Sequence, residues 1–194
     1  MLFNVYCFAK SRFQRMKDIS VIIPAYMEAA NIMAAVQNTL WALKEAQVED
    51  YELLIITCLR RDGTHDGTPD IAESLAKQDR HIRVFHNSYI SLGAKYWQGV
   101  DAAKCRYVVL VPGDDELPKE SLRDILSHLG EADILTTYTT NTEVRPLKRR
   151  LISRTFTSLV NFSTGLKLRY YNGDCVHRTD IIKLAGTRNL GHSF

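Results

Sequence analysis

Paired cysteines, long apolar runs and a strong net charge are all missing from this chain of 194 residues. Cys7, Cys58, Cys105 and Cys175 lie far apart with no paired spacing. That argues against a disulfide framework or a zinc site and fits a reducing compartment. No uninterrupted apolar run approaches the ~18–20 residues needed to span a bilayer. The apolar start, Met1 to Ala9, is followed rather than preceded by Lys10, Arg12, Arg15 and Lys17. A secretory signal has the opposite order, so residues 1–17 read as an N-terminal extension, a leader or docking segment. The loop after the first apolar run of the body, Ala25 to Ala30, has no Gly-x-Gly-x-x-Gly, which excludes a dinucleotide oxidoreductase. Nor does it hold the glycine-rich, lysine-bearing loop that nucleotidyl transfer onto sugar phosphates would want. Internal repeats and low-complexity tracts are absent.

What is present divides unevenly. Residues 1–140 hold 15 Lys/Arg against 19 Asp/Glu, and residues 141–194 hold 10 against 3. An acidic body with a basic tail points to an anionic partner for the tail, whether a phosphorylated substrate or a membrane surface. Nucleic acid fits poorly, because the tail lacks the interleaved aromatic and basic residues of single-strand platforms.

Short β-branched runs alternate with amphipathic stretches. The runs 19–24, 51–57, 82–85, 107–111 and 133–137 read as strands. Helices are expected from Asn31, as N-cap, to about Ala46, over 69–78 with Pro69 in the first turn, over 92–103, and from Pro118 to Gly130. This order predicts an α/β domain with a parallel sheet, right-handed crossovers and helices on both faces. In such sheets ligands bind at the carboxyl ends of the strands. Three polar loops follow strands and so converge there: Ala25–Glu28, Asp62–Thr68 and Pro112–Glu116. The third runs from an apolar strand into Asp114, Asp115 and Glu116, a carboxylate cluster suited to a hard divalent ion and a substrate phosphate. In the second, two Asp-Gly steps permit a tight reversal, with carboxylates able to accept from a base or ribose.

Pro24-Ala25-Tyr26-Met27-Glu28, then Asp62-Gly63-Thr64-His65-Asp66-Gly67-Thr68, then Val111-Pro112-Gly113-Asp114-Asp115-Glu116-Leu117-Pro118 resembles the family 2 glycosyltransferases, nearest the dolichol-phosphate mannosyltransferase-like branch. Asn87, Leu92-Gly93-Ala94-Lys95, Gly99, Ala102 and Ala103 resemble that family's segment before the metal strand. The likeness covers roughly 19–186. It implies a GT-A, Rossmann-like, mostly parallel sheet over 18–194, with a nucleotide-sugar half over about 18–118 and an acceptor side over about 119–194. By the same likeness, Pro24, Tyr26, Glu28, Asp62 and Lys95 would hold a GDP- or UDP-linked sugar. Asp114, helped by Asp115, would ligate the Mg²⁺ or Mn²⁺ that bridges the diphosphate. Two departures stand out. Arg61 precedes Asp62 where the family usually has a second aspartate, and Pro112 stands at the first aspartate of the usual Asp-x-Asp. A similar Pro-Gly-Asp turn occurs in the polyprenyl-phosphate-using branch.

From Arg145 to Lys167 the chain has helical character, with Ile152, Phe156, Leu159 and Leu166 near one face and Arg150, Arg154, Ser158 and Asn161 near another. With Lys148 and Arg149 this makes a basic amphipathic segment suited to an anionic membrane surface. The resemblance places Arg154 near an acceptor phosphate, and Asp174, in Tyr170-Tyr171-Asn172-Gly173-Asp174, near the reacting sugar. It implies inverting transfer to a polyprenyl phosphate by a protein lying peripherally on the cytoplasmic face of a membrane. A family 2 enzyme acting on a sugar hydroxyl, with Asp174 as base, is the other catalytic reading, and a non-catalytic nucleotide-sugar-binding module stands beside both. Family members usually continue into acceptor-site and membrane-associated helices beyond the length seen here. The likeness therefore implies a fragment, or a short form whose partner chain supplies the membrane helices.

Overall fold

The computed structural model of the chain describes residues 3–10, 17–88, 90–139, 147–171 and 173–184. In chain order the elements are β1 (Phe3–Lys10), β2 (Asp18–Ala25), α1 (Ile32–Glu45), β3 (Asp50–Cys58), α2 (Thr68–Gln78), β4 (Ile82–Asn87), α3 (Leu92–Ala102), β5 (Tyr107–Leu110), α4 (Lys119–Ser127), β6 (Ala132–Thr139), α5 (Leu147–Thr164), β7 (Val176–Arg178) and α6 (Thr179–Lys183).

Seven strands form one sheet in the order β1-β6-β7-β5-β2-β3-β4. β2 pairs in parallel with both β3 and β5, and β3 with β4. β7 runs antiparallel between β5 and β6, so β6 keeps the parallel direction. The expected mostly parallel sheet is present, with two antiparallel strands that the sequence pattern did not announce. One is β1, which pairs with β6 from Phe3↔Thr139 to Lys10↔Ala132. Residues 3–10 are thus an edge strand of the sheet, where a leader or docking segment was expected. The other is β7, whose three residues are too few to carry a period.

Strands buried on both faces read as continuous apolar runs, and the packing shows why. On one face Ile19, Val21 and Ile23 of β2 and Leu53 and Ile55 of β3 meet α1, α2 and α4. On the other, Ile22, Leu54, Ile56 and Val108 meet Trp97 and Val100 of α3. The central strand residues are 0% exposed, and each such side chain contributes about 1.5–3 kcal/mol on burial, an upper bound because unfolded chains already hide some surface. α5 contrasts sharply: Leu151, Ile152, Leu159 and Phe162 are 68%, 70%, 65% and 90% exposed. The sheet and its covering helices therefore hold the fold, and α5 adds little to it.

The amino-terminal edge of the sheet is closed by a buried ionic knot. Glu52 accepts from the Ser20 hydroxyl at 2.7 Å, the Lys104 N–H at 2.7 Å and the Arg83 guanidinium at 2.8 Å. Burial opposes ionisation of Glu52, and these hydrogen bonds outweigh it, leaving its pKa below the ordinary value. The opposite edge is open, and there the polar loops gather.

Candidate active site

Five parallel strands deliver their following loops to one edge, and the loops are tied together by residues distant in sequence. At the end of β2, Pro24 is buried, and its carbonyl accepts from the Gly113 N–H at 3.3 Å. A Cβ on Gly113 would stand 2.9 Å from that oxygen, so the loop after β5 can lie against β2 only as glycine. Pro24 thus acts as support for the site floor.

The loops after β2 and β3 are joined by Asp66 and Thr68. The Glu28 N–H donates to Thr68 Oγ1 at 2.8 Å, and the Ala29 N–H to Asp66 Oδ2 at 3.0 Å. Asp66 Oδ1 also accepts the Thr68 hydroxyl at 2.6 Å and the Thr68 N–H at 3.1 Å. Burial opposes the charge on Asp66, but these hydrogen bonds prevail and bring its pKa from the ordinary 3.8 to about 2. Asp62 serves its own turn. The Thr64 hydroxyl, with the Thr64 N–H, donates to its Oδ1 and holds its pKa below the ordinary value. The side chain of Asn31, the expected helix cap, makes no cap bond. It donates instead to Glu28 Oε2 at 2.9 Å, while the N–H groups of Asn31 and Ile32 take the Glu28 carbonyl. Glu28 is thereby fixed at both ends.

The Asp66 brace has a measurable consequence. A depressed carboxyl pKa stabilises the fold fully above the unfolded value and is lost as pH falls through the folded one, here between about pH 4 and pH 2. The side chain is exposed, so solvent screening leaves about 1 kcal/mol of this. Asp66→Ala is expected to lower Tm at pH 7 by about 2–4 °C and to flatten the acid limb of the stability curve between pH 4 and 2. Thermal melts across that range check it.

The turn after β5 carries the carboxylates. Asp114 Oδ1 accepts from the Glu116 N–H at 3.1 Å in a local turn. Asp115 sits at φ 60°, and both its oxygens accept from the Asn38 amide of α1, at 2.9 and 3.1 Å. Its carboxylate is committed sideways to α1, a contact no motif could reveal across 77 residues. Met27, in the loop after β2, also has positive φ, at 61°. Strained residues in two adjoining loops are typical of places where geometry serves a ligand.

Asp174 reaches the same edge because β7 is antiparallel. Val176 pairs with Val109 of β5, so the residues before it pass alongside the turn after β5. Burial raises the Asp174 pKa, and the Asp114 charge raises it further. Two carboxylates thus share one corner of the site.

Lys95 lies in the first turn of α3, buried, with Nζ donating to the Ile90 carbonyl at 2.9 Å and lying 5.3 Å from the centre of the Tyr26 ring. Tyr26, Glu28, Asp62, Lys95, Asp114 and Asp174 therefore occupy loops and element ends on one edge. Arg154 does not join them: it is exposed on α5 and has no hydrogen bond or ion pair among the described residues. The sequence reading missed Asn38, and it offered the Asp66 carboxylate to a base or ribose where the structure uses it to brace the loops. It also missed Arg169, whose guanidinium lies 5.3 Å from the Tyr138 ring centre at the end of β6. Asn172, Arg145 and the side chain of Arg149 lie outside the described residues.

No group of three His, Cys, Asp or Glu side chains able to hold a metal occurs among the described residues. A divalent ion held mostly by substrate phosphates needs only one or two carboxylates. Asp114, with one oxygen uncommitted, fits that minimal requirement.

The sequence profile of glycosyl transferase family 2 matches residues 20–182. Glycosyltransferase AglD of Haloferax volcanii is 29% identical over 158 residues, covering 78% of this chain and 25% of that protein. The undecaprenyl-phosphate 4-deoxy-4-formamido-L-arabinose transferase of Pectobacterium atrosepticum is 23% identical over 158 residues, covering 80% and 46%. Among solved structures, the mannosyltransferase PcManGT of Pyrobaculum calidifontis, in complex with GDP-Man and Mn²⁺, superposes with a TM-score of 0.56 at 16% identity, covering 92% of this chain and 49% of that one. The chain spans less than half the length of these relatives. A mostly parallel sheet with its polar loops gathered at one edge, and a profile match that runs from within β2 to past β7, agree: the chain belongs to glycosyl transferase family 2, with the GT-A fold.

Proposed function

We propose that this glycosyltransferase moves a sugar, with inversion, from a GDP- or UDP-linked donor to a polyprenyl phosphate at a membrane surface. The donor would lie across the open edge, with Tyr26, Glu28 and Asp62 around the nucleotide, Lys95 behind the diphosphate and Pro24 supporting the floor. Asp114 would hold Mg²⁺ or Mn²⁺ together with the donor's phosphates, and Asp115, fixed by Asn38, would set the shape of the turn. Such a metal, when bound, withdraws charge from the departing nucleoside diphosphate. The acceptor phosphate is anionic at neutral pH and attacks without surrendering a proton, so positioning and charge stabilisation dominate.

The observation that carries the acceptor half is the way α5 is turned. Its half-buried positions are largely polar: Arg150, Ser153, Thr157 and Asn161. Its apolar residues, Leu151, Ile152, Leu159 and Phe162, face outward. An amphipathic helix with its apolar side to solvent and arginines along its flank suits the headgroup boundary of an anionic bilayer. α5 is linked to the loop before Asp174: Tyr171 donates to Asn161 Oδ1 at 2.7 Å, and its ring meets Phe156 edge-on at 6.4 Å. No helix among the described residues is long and apolar enough to cross a membrane. The Pectobacterium relative's name supports the same acceptor class. Arg154 would meet the acceptor phosphate at the membrane rather than within the pocket as it stands.

The test is transfer of labelled sugar from GDP- and UDP-linked donors to polyprenyl phosphate in phosphatidylglycerol vesicles, with calorimetry of each donor alongside. Label in the lipid phase supports the proposal; a folded chain that binds neither donor, with or without Mn²⁺, overturns it in favour of a non-catalytic module. A sugar hydroxyl acceptor is the second reading, favoured by the raised pKa of Asp174, which suits a general base. Asp174→Asn separates the two. With a phosphate acceptor the variant should keep activity within about fivefold, and with a hydroxyl acceptor it should lose about 10²–10⁴-fold.

A further inference from the structure

We infer that Asn161 is a positioning residue: an anionic bilayer, by seating α5, acts through it to fix the segment leading to Asp174, so that transfer speeds up at the membrane. The inference rests on the acceptor reading proposed above and deepens it.

α5 is poorly secured by the protein itself. Among the described residues it shares no extensive packing with another helix or strand, and Leu151, Ile152, Leu159 and Phe162 stand outward. A helix in water draws most of its stability from a packed face, so α5 needs a further surface to settle its place. Its charge selects that surface. From Val144 to Gly173 the sequence has seven Lys/Arg and no Asp/Glu. Cations interspersed with Leu, Ile and Phe suit the headgroup boundary of an anionic bilayer. A second copy of the chain, paired symmetrically through α5, would bring like charge against like.

Asn161 is where α5 is tied to the chain that follows it. Its Oδ1 accepts the Leu168 N–H at 3.0 Å and the Tyr171 hydroxyl at 2.7 Å, and its Nδ2 donates to the Leu168 carbonyl at 2.8 Å. One side-chain amide thus takes both backbone groups of Leu168, as a neighbouring strand would, and a hydroxyl three residues before Asp174. Gly165, at φ 71°, ends the helix, and its N–H returns to the Asn161 carbonyl at 2.9 Å. The edge-on contact of Phe156 with Tyr171 lies on the same junction. From Tyr171 the chain passes Gly173, set against Thr137 of β6, and reaches Asp174, whose carboxyl feels the Asp114 charge. Since α5 adds little to the fold, these bonds do little for the sheet. What they fix is the relation of α5 to residues 166–171. In water that segment shares the freedom of a helix with no second surface. On a bilayer both are held, and the acceptor side of the reacting corner is placed, which is the effect that governs rate.

The experiment measures kcat for transfer from GDP- and UDP-linked sugars to saturating geranyl phosphate, in buffer and with phosphatidylglycerol or phosphatidylcholine vesicles. Vesicle sedimentation and Tm are measured alongside, on the full chain as wild type, Asn161→Ala and Tyr171→Phe. The wild type should sediment with phosphatidylglycerol but not phosphatidylcholine, and its kcat should rise at least about tenfold with the former. Asn161→Ala should sediment equally, melt within about 3 °C of wild type, and gain less than about twofold. Tyr171→Phe, which loses one bond of the three and keeps its ring, should fall between. Wild-type stimulation of Asn161→Ala overturns the inference, as does a wild type that sediments with vesicles yet works at one rate with and without them. Loss of sedimentation by Asn161→Ala overturns it too, making Asn161 a structural prop of α5. If Asn161→Ala melts far below wild type, Tyr171→Phe decides: reduced stimulation with intact sedimentation supports the inference, and full stimulation overturns it. A wild type that sediments with no vesicle, or passes sugar to no prenyl phosphate, overturns the acceptor reading itself and this inference with it.

Discussion

Asp114→Asn is expected to lower sugar transfer by about 10²–10³-fold while raising the melting temperature. The two effects have one cause. Asp114 has a carboxylate oxygen left over after the Glu116 N–H is satisfied, whereas Asp115 spends both on Asn38. It is therefore freer than Asp115 to meet a donor phosphate and its metal. The same charge is a burden to the fold itself, because it raises the pKa of Asp174, already raised by burial. A carboxyl whose folded pKa lies above its unfolded value destabilises the protein at pH values above both. Removing the Asp114 charge relieves that burden at neutral pH. Asparagine keeps the side-chain oxygen that accepts from Glu116, so the turn survives. Transfer assays and thermal melts at pH 7 check the pair of effects. Wild-type activity would remove Asp114 from the chemistry, and a lower Tm would make it a structural turn residue.

What was readable in the sequence follows from what each feature depends on. The runs 19–24, 51–57 and 107–111 announced β2, β3 and β5 because strands covered on both faces must be apolar throughout. The rule that polar loops collect at the carboxyl edge then placed Tyr26, Glu28, Asp62 and Asp114 together without any contact being known. The antiparallel strands escaped for physical reasons. β7 has three residues, and its place between β5 and β6 is set by pairing, not pattern. The start of β1 was apolar in a way that a leader also would be. Side-chain commitments were equally hidden. The hold of Asn38 on Asp115, far along the chain, belongs to no motif and could not be read from the sequence. Lys95 entered through a motif likeness, and only its burial without a carboxylate distinguished it from an ordinary helical lysine.

Gly173→Ala is expected to destabilise the fold by about 2–3 kcal/mol and to remove most transfer activity through a single methyl group. A Cβ at this position would stand 2.2 Å from the Thr137 carbonyl oxygen and 2.6 Å from Thr137 Oγ1, closer than such atoms can approach. Thr137 belongs to β6, which pairs with β1 on one side and β7 on the other, so its carbonyl cannot retreat. The segment 173–175 must move instead, against the short β7 whose register rests on Val176 opposite Val109 and Leu135. That movement takes Asp174 away from Asp114, and a displacement of about 1 Å at a reacting centre costs roughly 10²-fold. The expected Tm loss is about 4–12 °C, measured beside transfer activity at a temperature where the variant is fully folded. Comparison with Asp174→Asn then separates two roles of the same corner. If the acceptor is a phosphate, the asparagine variant works and the alanine variant does not, because the segment's placement matters more than its charge. If both lose activity alike while only Gly173→Ala melts lower, Asp174 is moving a proton and the acceptor is a hydroxyl. A Gly173→Ala chain with wild-type Tm would mean that β6 and β7 do not approach as closely at this point.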